Sequence, residues 1–107
     1  MPDAVLVLST LPDDPSAERI ARTLVDEKLA ACVNLFSPMT SVYRWKGAVE
    51  SGTERQIVIK TSRALVGALE RRLKELHPYE LPEFLVLPID DGSSEYLRWL
   101  DESVGHR

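Results

Sequence analysis

Residues 76 to 83 read Leu-His-Pro-Tyr-Glu-Leu-Pro-Glu, which puts an imidazole, a phenol and two carboxylates into one short segment. His77 has the chemistry of a metal ligand or a general acid/base. Glu80 and Glu83 flank Pro82 and could hold a hard cation or move a proton. Tyr79 could point a hydroxyl into a cleft. Pro78 disfavours helical dihedrals at the residue before it, so His77 is expected at or just past a helix end. Pro78 and Pro82 each fix their own φ and stiffen the segment, which lowers the ordering cost of binding. Structural readings compete with each of these. A helix-end histidine can bond the last carbonyls of its helix. The two glutamates can be solvated loop charges, and Tyr79 can close the end of the core. His106 lies in a tail expected to fray and is set aside.

Other candidate groups give weaker signals. Cys32 stands between Ala31 and Val33 at an apolar strand start, where a free thiol is expected to be a buried, structural small hydrophobe. No Lys, Arg or His adjoins it in sequence to lower its pKa. Asp90-Asp91-Gly92-Ser93 lacks the further oxygen ligands of a calcium loop and reads as a turn into a helix cap. Arg44, Lys46, Arg55 and Lys60 could attract anions, but pairing with Glu50 and Glu54 across a strand face accounts for them. Trp45 and Trp99 are expected in a core or an interface. The chain has no phosphate-binding glycine loop, no Cys-x-x-Cys, no His-Glu-x-x-His and no serine nucleophile elbow, so no enzyme class gains support.

The elements that would position these groups follow from periodicity. Ala4-Val5-Leu6-Val7-Leu8 reads as a strand buried on both faces. Asp14 before Pro15 predicts an N-cap and a helix over about 15–29, with Ala17, Ile20, Ala21, Leu24, Val25 and Leu29 as its stripe. Residues 31 to 61 read as one long hairpin that turns at Lys46-Gly47. Pro38 should mark a bulge, bend or edge, and a second irregularity is expected near Ser51-Gly52. Ser62 is predicted to cap a helix carrying Leu65, Val66, Leu69, Leu73 and Leu76. The stiff segment follows, then a strand over 84–89. Ser93 then caps a last helix with Tyr96, Leu97, Leu100 and Val104.

This order, β-α-β-β-α-β followed by α, is that of an α+β ferredoxin-like sandwich with an additional C-terminal helix and a long central β-hairpin. An arm of some fourteen residues at ~3.3 Å each would overhang helices that rise ~1.5 Å per residue. It would expose Val42, Tyr43, Trp45, Val49 and Ile57 together with unpaired edges, and a second subunit is the economical cover.

With 107 residues, 44% hydrophobic and 28% charged, the chain is expected to form a single domain, residues 1–107. Its apolar runs are too short to span a membrane. A net charge of −4 argues against a nucleic-acid partner. One cysteine permits no internal disulfide, and the N-terminus shows no leader, so a cytoplasmic location is expected. The ferredoxin-like plan also hosts RNA-binding modules, but those need aromatic residues on the central strands. Val5-Leu6-Val7 and Gln56-Ile57-Val58-Ile59 have none.

Three stretches carry a specific resemblance: Glu27-Lys28-Leu29-Ala30-Ala31-Cys32-Val33-Asn34, Ser41-Val42-Tyr43-Arg44-Trp45 and His77-Pro78-Tyr79-Glu80. In this order they resemble the CutA family of divalent-cation tolerance proteins, over nearly the whole chain. The resemblance implies a ferredoxin-like subunit in a tight homotrimer with hairpin strands shared across subunits. It also implies a non-catalytic link to tolerance of copper and other divalent metal cations. Some bacterial members carry a cysteine at the end of the first strand and a His-His pair before Pro-Tyr as proposed copper ligands. The matching positions here are Ser9 and Leu76-His77, which leaves His77 as the one metal ligand implied, with modest affinity. A trimeric, small-molecule-binding regulator like the PII signalling proteins is the alternative. Those bind nucleotides between subunits and signal through a long mobile loop.

Overall fold

The computed structural model describes residues 3–105, so His106 lies outside the described residues. The elements run β1 (Ala4–Pro12), α1 (Ser16–Asp26), β2 (Cys32–Leu35), β3 (Met39–Trp45), β4 (Ala48–Ser62), α2 (Val66–Leu76), β5 (Leu85–Pro88) and α3 (Ser94–Glu102). A 3-10 turn, Arg63–Leu65, leads into α2. The strands form one antiparallel sheet in the order β2-β4-β1-β5, with β3 continuing β2 along β4. This is the ferredoxin-like plan.

β4 organises the sheet. Residues 54 to 62 pair with β1 from Pro12↔Glu54 to Ala4↔Ser62. Its outer residues, up to Glu54, pair with β3 from Trp45↔Ala48 to Met39↔Glu54. The hairpin therefore overhangs as an arm, and the molecule measures 44 × 25 × 24 Å. Leu35 pairs with Ile57 and Met39 with Glu54. Three residues on the Pro38 side thus oppose two on β4, which is a β-bulge. The irregularity expected near Ser51-Gly52 does not exist. β4 runs through it unbroken, with Ser41 opposite Gly52, because an exposed arm demands no side chain at that position.

The core lies between one sheet face and the helices α1 and α2. Val5, Val7 and Leu11 alternate into it with Ile57 and Ile59, against Ala17, Ile20, Leu24, Leu69 and Leu73. The other face is different. Leu6 and Leu8 are only half-buried, while Leu85 and Leu87 beside them on β5 are exposed. The expectation of a strand buried on both faces is corrected accordingly. In this chain α3 covers only one end of that face, where Leu97 and Leu100 pack on Ala4.

Helix ends also differ from the expectation. The Asp14 carboxylate accepts the Ser16 N–H at 2.7 Å and its carbonyl accepts that of Ala17 at 3.1 Å, so Asp14 caps α1 from one residue further out. The Ser16 hydroxyl, which also donates to this carboxylate, and then the Ser16 N–H hold the Asp14 carboxyl below its ordinary range. α1 stops at Asp26 because Lys28 turns left-handed at φ 60°. Lys28 N–H then donates to Val25 O at 3.0 Å and Leu29 N–H to Leu24 O at 3.0 Å. That is a Schellman closure with lysine where glycine is commoner. Ser62 makes no side-chain cap, since the 3-10 turn intervenes. Ser93 does cap α3, its Oγ accepting from Tyr96 N–H at 3.3 Å.

Candidate functional site

The segment linking α2 to β5 lies across the end of the sheet where β1 finishes. As Pro78 requires, His77 leaves the helix with extended dihedrals, φ −81° and ψ 132°. Its ring turns away from the helix carbonyls. Nε2 sits 2.6 Å from Thr10 O, and Nδ1 accepts the Tyr79 N–H at 3.1 Å. A carbonyl can only accept, so the proton is on Nε2 and the Nδ1 lone pair is occupied. The residue is 7% exposed. Burial pushes its pKa below the ordinary 6.5, against the opposing pull of the Thr10 carbonyl and Glu54.

The two glutamates do different things. Glu83 is tied inward: its carbonyl accepts from Ser9 Oγ at 2.6 Å, and its Oε2 accepts from Gln56 Nε2 at 3.1 Å. Gln56 Nε2 also donates to Ser9 O at 2.6 Å. Glu80 faces outward, 3.7 Å from Lys46 Nζ at the hairpin turn. Tyr79 packs its ring at a tilt against His77, 4.6 Å between ring centroids, and donates its hydroxyl to Glu54 Oε1 at 3.1 Å. Burial, then Glu54, pushes the phenol pKa up to about 12.

The sequence motif thus comes together in space, but as a clasp. His77 and Glu83 fasten the segment to β1 and β4, while Tyr79 and Glu80 face the hairpin. The sequence singles out neither Thr10 nor Gln56, and it expects Glu54 to pair with the hairpin's basic residues. Instead Glu54 accepts from Tyr79, while Lys46 pairs with Glu80, Arg55 donates to Phe36 O and Lys60 to Tyr96. The only signal was that Glu54 and Gln56 are polar residues at the entrance to an apolar strand. Their role depends on the β1–β4 register, which sets Thr10 opposite Gln56 and Pro12 opposite Glu54.

A soft-metal site of three ligands does not fit these residues. The Ser9 hydroxyl is fully buried and donating to Glu83 O, and Leu76 is apolar. Ligation through Nδ1 of His77 would break its bond to Tyr79. Among the described residues no group of three or more His, Cys, Asp or Glu side chains is placed to hold a metal ion. Cys32 is only half-buried, which corrects the expectation of a buried thiol. β2 is an edge strand, and Asn34 Nδ2 reaches the Cys32 sulfur at 3.7 Å. Lys60 is its cross-strand partner, a neighbour invisible in sequence. Lys60 Nζ bonds Tyr96 Oη at 3.2 Å. Trp99 packs at a tilt against Tyr96 and is exposed in this chain, and Trp45 is half-buried.

Comparisons with known proteins match this arrangement. The family model for CutA1 divalent ion tolerance protein covers residues 5–103. The divalent-cation tolerance protein CutA of Pectobacterium atrosepticum is 46% identical over 102 residues, 95% of this chain and 93% of that one. The solved structure of a divalent cation tolerance protein from Thermus thermophilus superposes with a TM-score of 0.92 at 45% identity. It covers 95% of this chain and 99% of its own. CutA from Archaeoglobus fulgidus, described as a periplasmic divalent cation tolerance protein, superposes at 0.91 with 37% identity, covering 95% and 99%. With its β-α-β-β-α-β frame, its overhanging hairpin and its His-Pro-Tyr-Glu clasp, this chain belongs to the CutA1 divalent ion tolerance family.

Proposed function

We propose that this protein serves divalent-cation tolerance as a non-catalytic homotrimer that binds copper and similar cations weakly. The observation that carries the assembly is uncovered apolar surface in two places. On the arm, Val42 is 70% and Val49 64% exposed, and on the open sheet face Leu85 is 54% exposed. A solitary chain rarely leaves such surface and such strand edges bare. Family membership supports the cation-tolerance role, and the resemblance supplies the number three. The PII-like reading needs a mobile signalling loop. The corresponding segment here is a fully paired hairpin, which supports a fixed scaffold. The occupied nitrogens of His77 and the engaged hydroxyl of Ser9 support weak cation binding. A cytoplasmic location is the companion reading, supported by a lone thiol without a disulfide partner, and cell fractionation checks it.

Sedimentation at micromolar concentration, followed by Cu(II) calorimetry on the parent and on His77→Ala, tests the proposal. The expected mass is about three times the 12.0 kDa chain. The expected Cu(II) Kd is weaker than about 1 μM. A 12 kDa monomer overturns the assembly. Nanomolar Cu(II) binding that His77→Ala abolishes, with the trimer intact, would make His77 a true ligand.

A further inference from the structure

Among the described residues, the arm formed by β3 and the outer part of β4 has no strand neighbour beyond its own pairing. Among the described residues, a hydrogen bond and an ion pair reach it from outside, and both come from adjacent residues of the α2–β5 segment. Tyr79 Oη bonds Glu54 at 3.1 Å, where β4 passes from pairing with β1 to pairing with β3 alone. Glu80 lies 3.7 Å from Lys46 at the turn. Positions 46 and 54 are separated by roughly 25 Å of extended chain, while adjacent Cα atoms are only ~3.8 Å apart, so the segment stands near the root of the arm and the long side chains of Glu80 and Lys46 reach to the turn. The segment is itself held to the body of the subunit by His77 on Thr10 O and by Ser9 and Gln56 on Glu83.

We propose that residues 77–83 are a strut that sets the angle of the hairpin arm against the sheet, with Tyr79 as the positioning residue and Glu54 as its acceptor. The strut decides where the arm presents Val42 and Val49. In that respect it rests on the assembly reading above and deepens it. The Tyr79–Glu54 bond carries the effect, because it is partly buried. The Lys46–Glu80 pair is exposed on both sides, and such pairs contribute little. A fixed angle is what an assembly arm needs, since each subunit must meet its neighbour without first ordering the arm.

Hydrogen exchange read by mass spectrometry on the full chain tests this, with Tyr79→Phe, Glu54→Met and the double variant beside the parent. Sedimentation runs in parallel. Tyr79→Phe is expected to speed exchange over residues 39–53 by about fivefold, the factor of one ordinary hydrogen bond. Exchange in β1 and α1 stays unchanged. The double variant should show no more than either single one, because one contact is removed in all three. A variant that sediments lighter than the parent while β1 and α1 keep their protection also supports the strut. Unchanged arm exchange in Tyr79→Phe overturns it. So does an arm unprotected in the parent, or a loosening spread evenly over the whole chain. A monomeric parent whose arm still loosens selectively in Tyr79→Phe overturns the assembly reading and leaves the strut standing.

Discussion

The His77 imidazole is held by two bonds that fix its neutral form, one donated to Thr10 O and one accepted from Tyr79 N–H. Protonation at Nδ1 would set two N–H groups against each other inside a nearly closed site. The linkage has a definite sign. The folded-state pKa lies below 6.5, so where the unfolded imidazole titrates, the unfolded chain binds more protons than the folded one. This contribution is present above about pH 6.5 and is lost as pH falls through the folded pKa. Asp14 and Glu27, lowered by Ser16 and Arg72 respectively, act in the more acid carboxylate window. His77→Gln keeps a side-chain amide but cannot titrate. Its melting temperature should fall less than the parent's between about pH 7 and about pH 5. Parallel melting curves over that range would show that His77 does not set the acid response.

Each helix buries most of the stripe its spacing predicts, but Val25 at the end of α1 and Tyr96 at the start of α3 are exposed. In α1, Ala17, Ile20, Ala21 and Leu24 are buried, and in α2 so are Leu69 and Leu73. Leu24 is fully enclosed among strand and helix side chains, and its carbonyl also accepts the Leu29 N–H that closes α1. Leu24→Ala should lower unfolding free energy by about 2–5 kcal/mol through lost burial and a cavity. Arg19→Ala on the wet face should stay within about 0.5 kcal/mol. Chemical denaturation at one fixed protein concentration separates these outcomes, and equal small losses would mean that α1 is not packed as described. Arg72 joins the two helices from outside the core, its Nε and Nη2 donating to both Glu27 oxygens at 2.8 and 2.9 Å. The residues of these stripes were legible from sequence because they recur at helical spacing. The ends were less so. Lys28 in the left-handed conformation and the 3-10 turn after Ser62 depend on how the chain must re-enter the sheet.

At the scale of the whole molecule, the chain has a dense core on one sheet face and exposed apolar surface on the other. The proposed assembly through that surface and the arm would link folding to association and so add stability by mass action. Proline-stiffened connections and short turns reduce the entropy lost on folding. The assembled protein is therefore expected to melt above the range of about 45–65 °C that ordinary mesophile domains occupy. Its midpoint should rise with protein concentration. A midpoint inside that range, independent of concentration, would speak against a large shared interface.

The order of elements, the ferredoxin-like plan, an irregularity at Pro38 and the exit of His77 from its helix were all readable in the sequence. Each follows from local rules: apolar periodicity, the fixed φ of proline, and the constraint on the residue before it. What the candidate groups do was not readable, because their partners are distant in sequence. Ser9 meets Glu83, His77 meets Thr10, and Tyr79 meets Glu54, across separations of 74, 67 and 25 residues. Only the β1–β4 register and the path of the segment after α2 bring them within hydrogen-bonding distance. The same holds for Cys32, whose half-exposure and Lys60 neighbour come from its place on an edge strand. Local sequence sets which conformations a segment prefers. Whether a polar group in it is a free ligand or an engaged hydrogen-bond partner is decided by the side chains that the tertiary fold packs against it.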